Sequence, residues 1–78
     1  MTVKVYSTPM CPWCHRAKEY LREKKIEFED IDVSSNQQAA QEMIKKSGQM
    51  GVPVLDIDGK IIIGFNVGAI NDALNIKE

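Results

Sequence analysis

Cys11 and Cys14 are the only thiols in a chain of 78 residues, and two residues separate them. A disulfide between them closes too small a loop to restrain an unfolded chain much, so a structural staple does not account for the pair. Two thiols at this spacing can instead exchange with a disulfide: one attacks it, and the other releases the mixed disulfide that results. Cys11-Pro12-Trp13-Cys14 falls between a β-rich run and a helical run, which puts Cys11 at a helix start. Free backbone N–H groups and the positive end of the helix dipole stabilise an anion there. The thiolate, which is the nucleophile, is therefore favoured at Cys11. Cys14, one turn later on the same face, is within reach as the resolving thiol and should be more buried. The expected catalytic pair is Cys11 as nucleophile and Cys14 as resolver, cycling through a redox-active disulfide.

Other chemistries fit these residues less well. With His15 the segment reads C-x-x-C-H, the attachment signature of c-type haem. That would require an exported compartment, and a β-rich chain is an unusual host. Structural zinc needs four ligands. A second cysteine pair is missing, so only a dimer could complete a zinc or iron–sulfur site. A metal or haem binding module is thus the remote alternative, and no bound cofactor is expected. His15, the one histidine, is expected on the solvated side of the helix. Trp13, between the cysteines, is expected at the surface beside the active sulfur. Met43 and Met50 read as packing residues.

The elements that must position this pair can be read in order. Val3-Lys4-Val5-Tyr6 is a strand, ended by Ser7-Thr8-Pro9. A helix should run from Pro12 to about Lys25, with Cys14, Ala17, Leu21 and Lys24 on one stripe. Pro12 suits the first helical position, and Arg22, Lys24 and Lys25 complement the dipole at the other end. Residues 28–33 alternate weakly and read as a second strand. Ser35 and Gln38 are spaced as a capping box for a second helix, which Gly48 should stop. Asp58-Gly59 between two β-rich runs, Val52–Ile57 and Lys60–Ile63, is a strong hairpin signal. Asn66 can cap a last helix from Val67 to about Leu74. The order is β-α-β-α-β-β-α, an α/β fold. Its first β-α-β unit is parallel and its last strand pair antiparallel, giving a four-stranded mixed sheet flanked by three helices.

Composition excludes several function classes. Hydrophobic residues are 44% and charged residues 27% of the chain, so it can form a core, as one domain over residues 1–78. Ten basic residues nearly balance eleven acidic ones, which argues against a nucleic-acid surface. The longest purely apolar run, Ile61–Ile63, is far short of the ~20 residues of a membrane span. The N-terminus lacks the long apolar core of a signal peptide. A cytoplasmic monomer with no nucleic-acid or membrane partner is expected. The stretch Arg16–Lys25 carries five positive and two negative charges and reads as a solvated face.

Taken together, Tyr6-Ser7-Thr8-Pro9-Met10-Cys11-Pro12-Trp13-Cys14, Gly51-Val52-Pro53 before a hairpin, and Gly64-Phe65-Asn66 resemble a glutaredoxin of the thioredoxin superfamily. The resemblance runs over essentially the whole chain. Residues 47–66 are most similar to the small YruB-type glutaredoxin-like proteins and to the NrdH redoxins that reduce ribonucleotide reductase. It implies the thioredoxin-like fold and a dithiol–disulfide oxidoreductase acting on protein or glutathione mixed disulfides. It also implies that Pro53 is cis and faces Cys11, and that the Val52 backbone pairs with the substrate peptide as an added strand would. The implied substrate-binding set is Pro12, Trp13, Val52, Pro53, Gly64, Phe65 and Asn66. Two departures concern the reductant. Glutathione-using members carry a basic residue where this chain has Thr8, and an acid after the last strand where it has Gly64-Phe65-Asn66-Val67-Gly68. Gly-Phe at that turn is a feature of the NrdH redoxins, whereas Cys-Pro-Trp-Cys is nearer the glutaredoxin site. The implied partners are disulfide-containing proteins, with glutathione or a flavoprotein thioredoxin reductase as electron donor.

Overall fold

A computed structural model describes residues 2–75; residue 1 and residues 76–78 of the expected 1–78 domain lie outside the described residues. Seven elements follow in order: β1 (Val3–Ser7), α1 (Pro12–Glu23), β2 (Glu29–Asp32), α2 (Gln37–Ser47), β3 (Val54–Ile57), β4 (Lys60–Ile63) and α3 (Val67–Leu74). The sheet order is β2-β1-β3-β4. β1 and β2 are parallel, with Tyr6 opposite Ile31, while β1–β3 and β3–β4 are antiparallel. The expected thioredoxin-like topology is present.

Period-two alternation sorts the strand residues between two cores. Val3 and Val5 of β1, with Leu55 and Ile57 of β3, pack against Ala17 and Leu21 of α1 and against Ile70 and Leu74 of α3. Tyr6 and Val54 face the other way, onto Ala39 and Met43 of α2. A charged cluster pins α2 to the sheet beside that second core. Lys46 Nζ donates to Asp56 at 2.7 Å and to the Tyr6 hydroxyl at 3.0 Å, and pairs with Glu42 at 3.0 Å. Asp56, Tyr6 and Glu42 hold the Lys46 ammonium above its ordinary range, against the opposing effect of burial.

Several boundaries differ from the sequence expectation, each for a local reason. The first helix ends at Glu23 rather than Lys25. Lys25 takes a left-handed φ of 59°, and Ile26 N–H closes back onto Leu21 O at 2.9 Å, a capping pattern that usually uses glycine. The second helix is capped by Asn36 rather than Ser35: Asn36 Oδ1 accepts from Ala39 N–H at 3.0 Å. Ser35 Oγ is turned to Asp32 O instead. β2 keeps only residues 29–32 of the expected 28–33. β3 begins at Val54, because Pro53 has no N–H to give a ladder. Gly48, at φ 74°, stops α2 as expected, and Asp58 and Gly59 both take the positive φ that a tight hairpin turn demands. No helix among the described residues is long and apolar enough to cross a membrane.

Candidate functional site

The loop after β1 delivers Cys11 to the start of α1. Its backbone is extended (φ −99°, ψ 109°), as a cap requires, and Pro12 takes the first helical position. In place of the usual cap oxygen, the Cys11 sulfur accepts the Cys14 N–H at 3.1 Å. Cys11 is partly exposed and Cys14 fully buried, and both are free thiols. Burial, reinforced by the hydrogen bond with Cys11, pushes the Cys14 thiol up to about 12. Cys14 therefore stays protonated at neutral pH unless something helps it ionise. At pH 8 Cys14 is accordingly far less ionised than an ordinary thiol. Treating the reduced protein with iodoacetamide at that pH should give one adduct, on Cys11, by mass spectrometry. Rapid appearance of two adducts would contradict the burial of Cys14.

The Val52–Pro53 bond is cis, as the resemblance implies. The Val52 carbonyl lies 3.9 Å from the Cys11 sulfur. The loop leading there is braced by Gln49, whose side chain accepts from Gly51 N–H at 2.6 Å and donates to Gly51 O at 3.0 Å. Gly64 N–H donates to Pro53 O at 2.8 Å, tying the end of β4 to this loop. Trp13, Val52, Pro53, Gly64 and Phe65 then line one cleft of about 280 Å³. Its walls are the Trp13 and Phe65 rings, 6.5 Å apart, and the Arg16 guanidinium stacks 5.3 Å over Trp13. Trp13 is 57% exposed, in its expected surface position.

Of the expected substrate-binding set, five residues share this cleft and two do not. Pro12 is exposed at the helix start, and the Asn66 carboxamide accepts the Ala69 N–H at 3.1 Å as the cap of α3. Met43 is core, but Met50 is 77% exposed and so is not the packing residue its type suggested; it lies two residues before Val52. His15 is exposed but not merely solvated: its Nε2–H donates to Pro9 O at 2.9 Å and braces the loop before Cys11. Sequence reasoning missed Lys18, which is buried although charged, and missed the Gln49 brace. The signal for Lys18 is its place four residues after Cys14, on the same face of α1 as Ala17 and Leu21.

Comparison with known proteins gives a consistent picture. The glutaredoxin family model matches residues 3–62. An uncharacterized glutaredoxin-like 8.6 kDa protein in the rubredoxin operon of Clostridium pasteurianum is 51% identical over 69 residues, 88% of this chain and 92% of that one. Among solved structures, a mutant of the thioredoxin-like protein BC3987 superposes with a TM-score of 0.91 at 29% identity, covering 97% of each chain. The glutaredoxin-like NrdH-redoxin of Escherichia coli, described as having a thioredoxin-like activity profile, gives 0.83 at 26% identity over 92% of this chain and 93% of its own.

Proposed function

The chain belongs to the glutaredoxin family and is a glutaredoxin-like redox protein; from that premise we propose that it reduces protein or glutathione mixed disulfides by a dithiol mechanism. One observation carries the reading: the Cys11 sulfur caps α1, accepts the Cys14 N–H, and sits beside the carbonyl of Val52, a residue that lines the aromatic cleft. The Cys11 thiolate attacks one sulfur of the substrate disulfide and expels the other as a thiol. Cys14 then attacks Cys11, and the second substrate thiol leaves as the Cys11–Cys14 disulfide forms. An extended substrate segment lies against Val52, with Trp13 and Phe65 on either side. We further take the protein to act as a cytoplasmic monomer without a bound cofactor.

The electron donor is the finer question. The residues lining the cleft are uncharged, and the Arg16 guanidinium beside it is stacked on Trp13, whereas a glutathione carboxylate is best held by a cation and its ammonium by a carboxylate. Each charge-assisted hydrogen bond that is lacking costs about 1.5–3 kcal/mol where buried, and less in an open groove. The reading this favours is general disulfide reduction with weakened glutathione recognition and with thioredoxin reductase as donor. Such a protein could serve ribonucleotide reductase as the NrdH redoxins do; the Gly64-Phe65 turn and the similarity to NrdH-redoxin support that second reading. The test runs one disulfide substrate with glutathione and glutathione reductase, and again with NADPH and thioredoxin reductase. Turnover is expected in the second regime, and a weak, non-saturating dependence on glutathione in the first. Saturation at low glutathione, with no turnover from thioredoxin reductase, would make the protein a glutathione-reduced glutaredoxin.

A further inference from the structure

The Lys18 side chain is only 9% exposed, and ammonium groups are almost never buried without a partner. Its Nζ donates to Asp30 Oδ2 at 3.0 Å and to Ser7 Oγ at 3.4 Å, while Ser7 Oγ donates to Asp30 Oδ1 at 2.9 Å. Ser7 ends β1 and Asp30 lies in β2, so the ammonium is held where these strands meet α1. Lys18 follows Cys14 by four residues. Helix side chains lean toward the N-terminus, so its stem runs back over the turn that holds Cys14. From the other side, Thr8, next after Ser7, accepts the Cys11 N–H at 3.4 Å through its carbonyl, so the end of β1 is tied to the start of the helix that carries both thiols. Burial and Cys11 oppose ionisation of Cys14, whereas Thr8 and the Lys18 charge favour it. The other titratable groups around the ammonium are His15 on α1 and Asp30 and Asp32 on β2.

We propose that Lys18 is a positioning residue for the resolving step: its ammonium, anchored by Ser7 and Asp30, stabilises the Cys14 thiolate as that sulfur attacks the Cys11 mixed disulfide. In this step the Cys14–Cys11 bond forms and the Cys11–substrate bond breaks. The departing substrate thiolate takes up the proton that Cys14 gave up, and no further oxidant or reductant is consumed. The inference rests on the dithiol reading above, in which Cys14 resolves.

Stopped-flow mixing of the reduced protein with one equivalent of Ellman's reagent separates the two. Thionitrobenzoate should leave in two phases, the first from attack by Cys11 and the second from resolution by Cys14. In Lys18→Met the second phase should slow about tenfold near neutral pH, and its pH midpoint should rise by about one unit, with the first phase little changed. Lys18→Arg keeps the charge and should restore the second phase. Asp30→Asn removes a negative charge beside the ammonium and should lower the midpoint. A folded Lys18→Met protein with the wild-type midpoint overturns the proposal. Should Lys18→Met not fold, Asp30→Asn decides, and a midpoint that stays or rises overturns it. A wild-type protein with no second phase would sink the dithiol reading itself.

Discussion

Replacing Cys11 with serine is expected to abolish turnover of every disulfide substrate, a fall of more than about a thousandfold in kcat/KM. A serine hydroxyl at the cap can still accept the Cys14 N–H, so the helix start should survive while the nucleophile is lost. Cys14 cannot take over, because it is buried and its thiol is pushed up to about 12. Cys14→Ser should fail differently. Cys11 still attacks, but nothing releases the mixed disulfide, and the protein should accumulate as one-to-one adducts with its substrates on non-reducing gels. Near wild-type turnover in Cys11→Ser would show that the nucleophile has been misassigned. Free turnover of protein disulfides by Cys14→Ser would remove the resolving role.

Leu21→Ala should remove a large share of the fold's stability. Leu21 is fully buried, on the face of α1 that meets Val5, Leu55 and Ile57. Truncating such a leucine costs about 2–5 kcal/mol, through lost transfer energy and the cavity left behind. Whole domains have only about 5–15 kcal/mol, and one this small sits near the lower end. At about 4–8 °C per kcal/mol, the melting temperature should fall by roughly 8–40 °C. The comparison should be made on fully reduced protein, so that the Cys11–Cys14 disulfide does not alter the baseline. A loss below about 1 kcal/mol would mean that the site collapses easily around the smaller side chain, contrary to a close-packed core. Because α1 carries both cysteines, activity should be lost on heating in step with the fold.

Local signals account for most of what could be read in advance. The hairpin was legible because Asp58-Gly59 meets a backbone demand that few pairs meet, and the end of α2 because Gly48 takes a left-handed φ without strain. Where two residues could serve one role, the choice escaped. Ser35 and Asn36 are both good caps, and the decision for Asn36 depends on where the chain leaves β2, with Asp32 already engaging Ser34 and Ser35. Lys25 in a left-handed turn could not be expected from its type; the closure of Ile26 back onto Leu21 imposes it, with Ile26 packed at the edge of the core. Asn66 was expected both as a cap and as part of the substrate-binding set, and in the structure its side chain carries the cap.

The chemistry of the pair was set within four residues. A cysteine at a helix start and another one turn on are geometrically bound to share a face, because α-helical spacing is the same in every protein. The strand directions were nearly as constrained, since a β-α-β unit and a tight hairpin each admit one of them. The surroundings of that pair were not local. Trp13, Val52 and Phe65 are far apart in the chain and meet only because β3 lies beside β1 and α3 folds back over the sheet. The pairing of Lys18 with Asp30 likewise needs β2 in place. Local structure follows from torsional preferences and short-range hydrogen bonds that a few neighbouring residues decide, whereas burial and charge pairing depend on which distant segments exclude water from a side chain, and only the packed fold decides that.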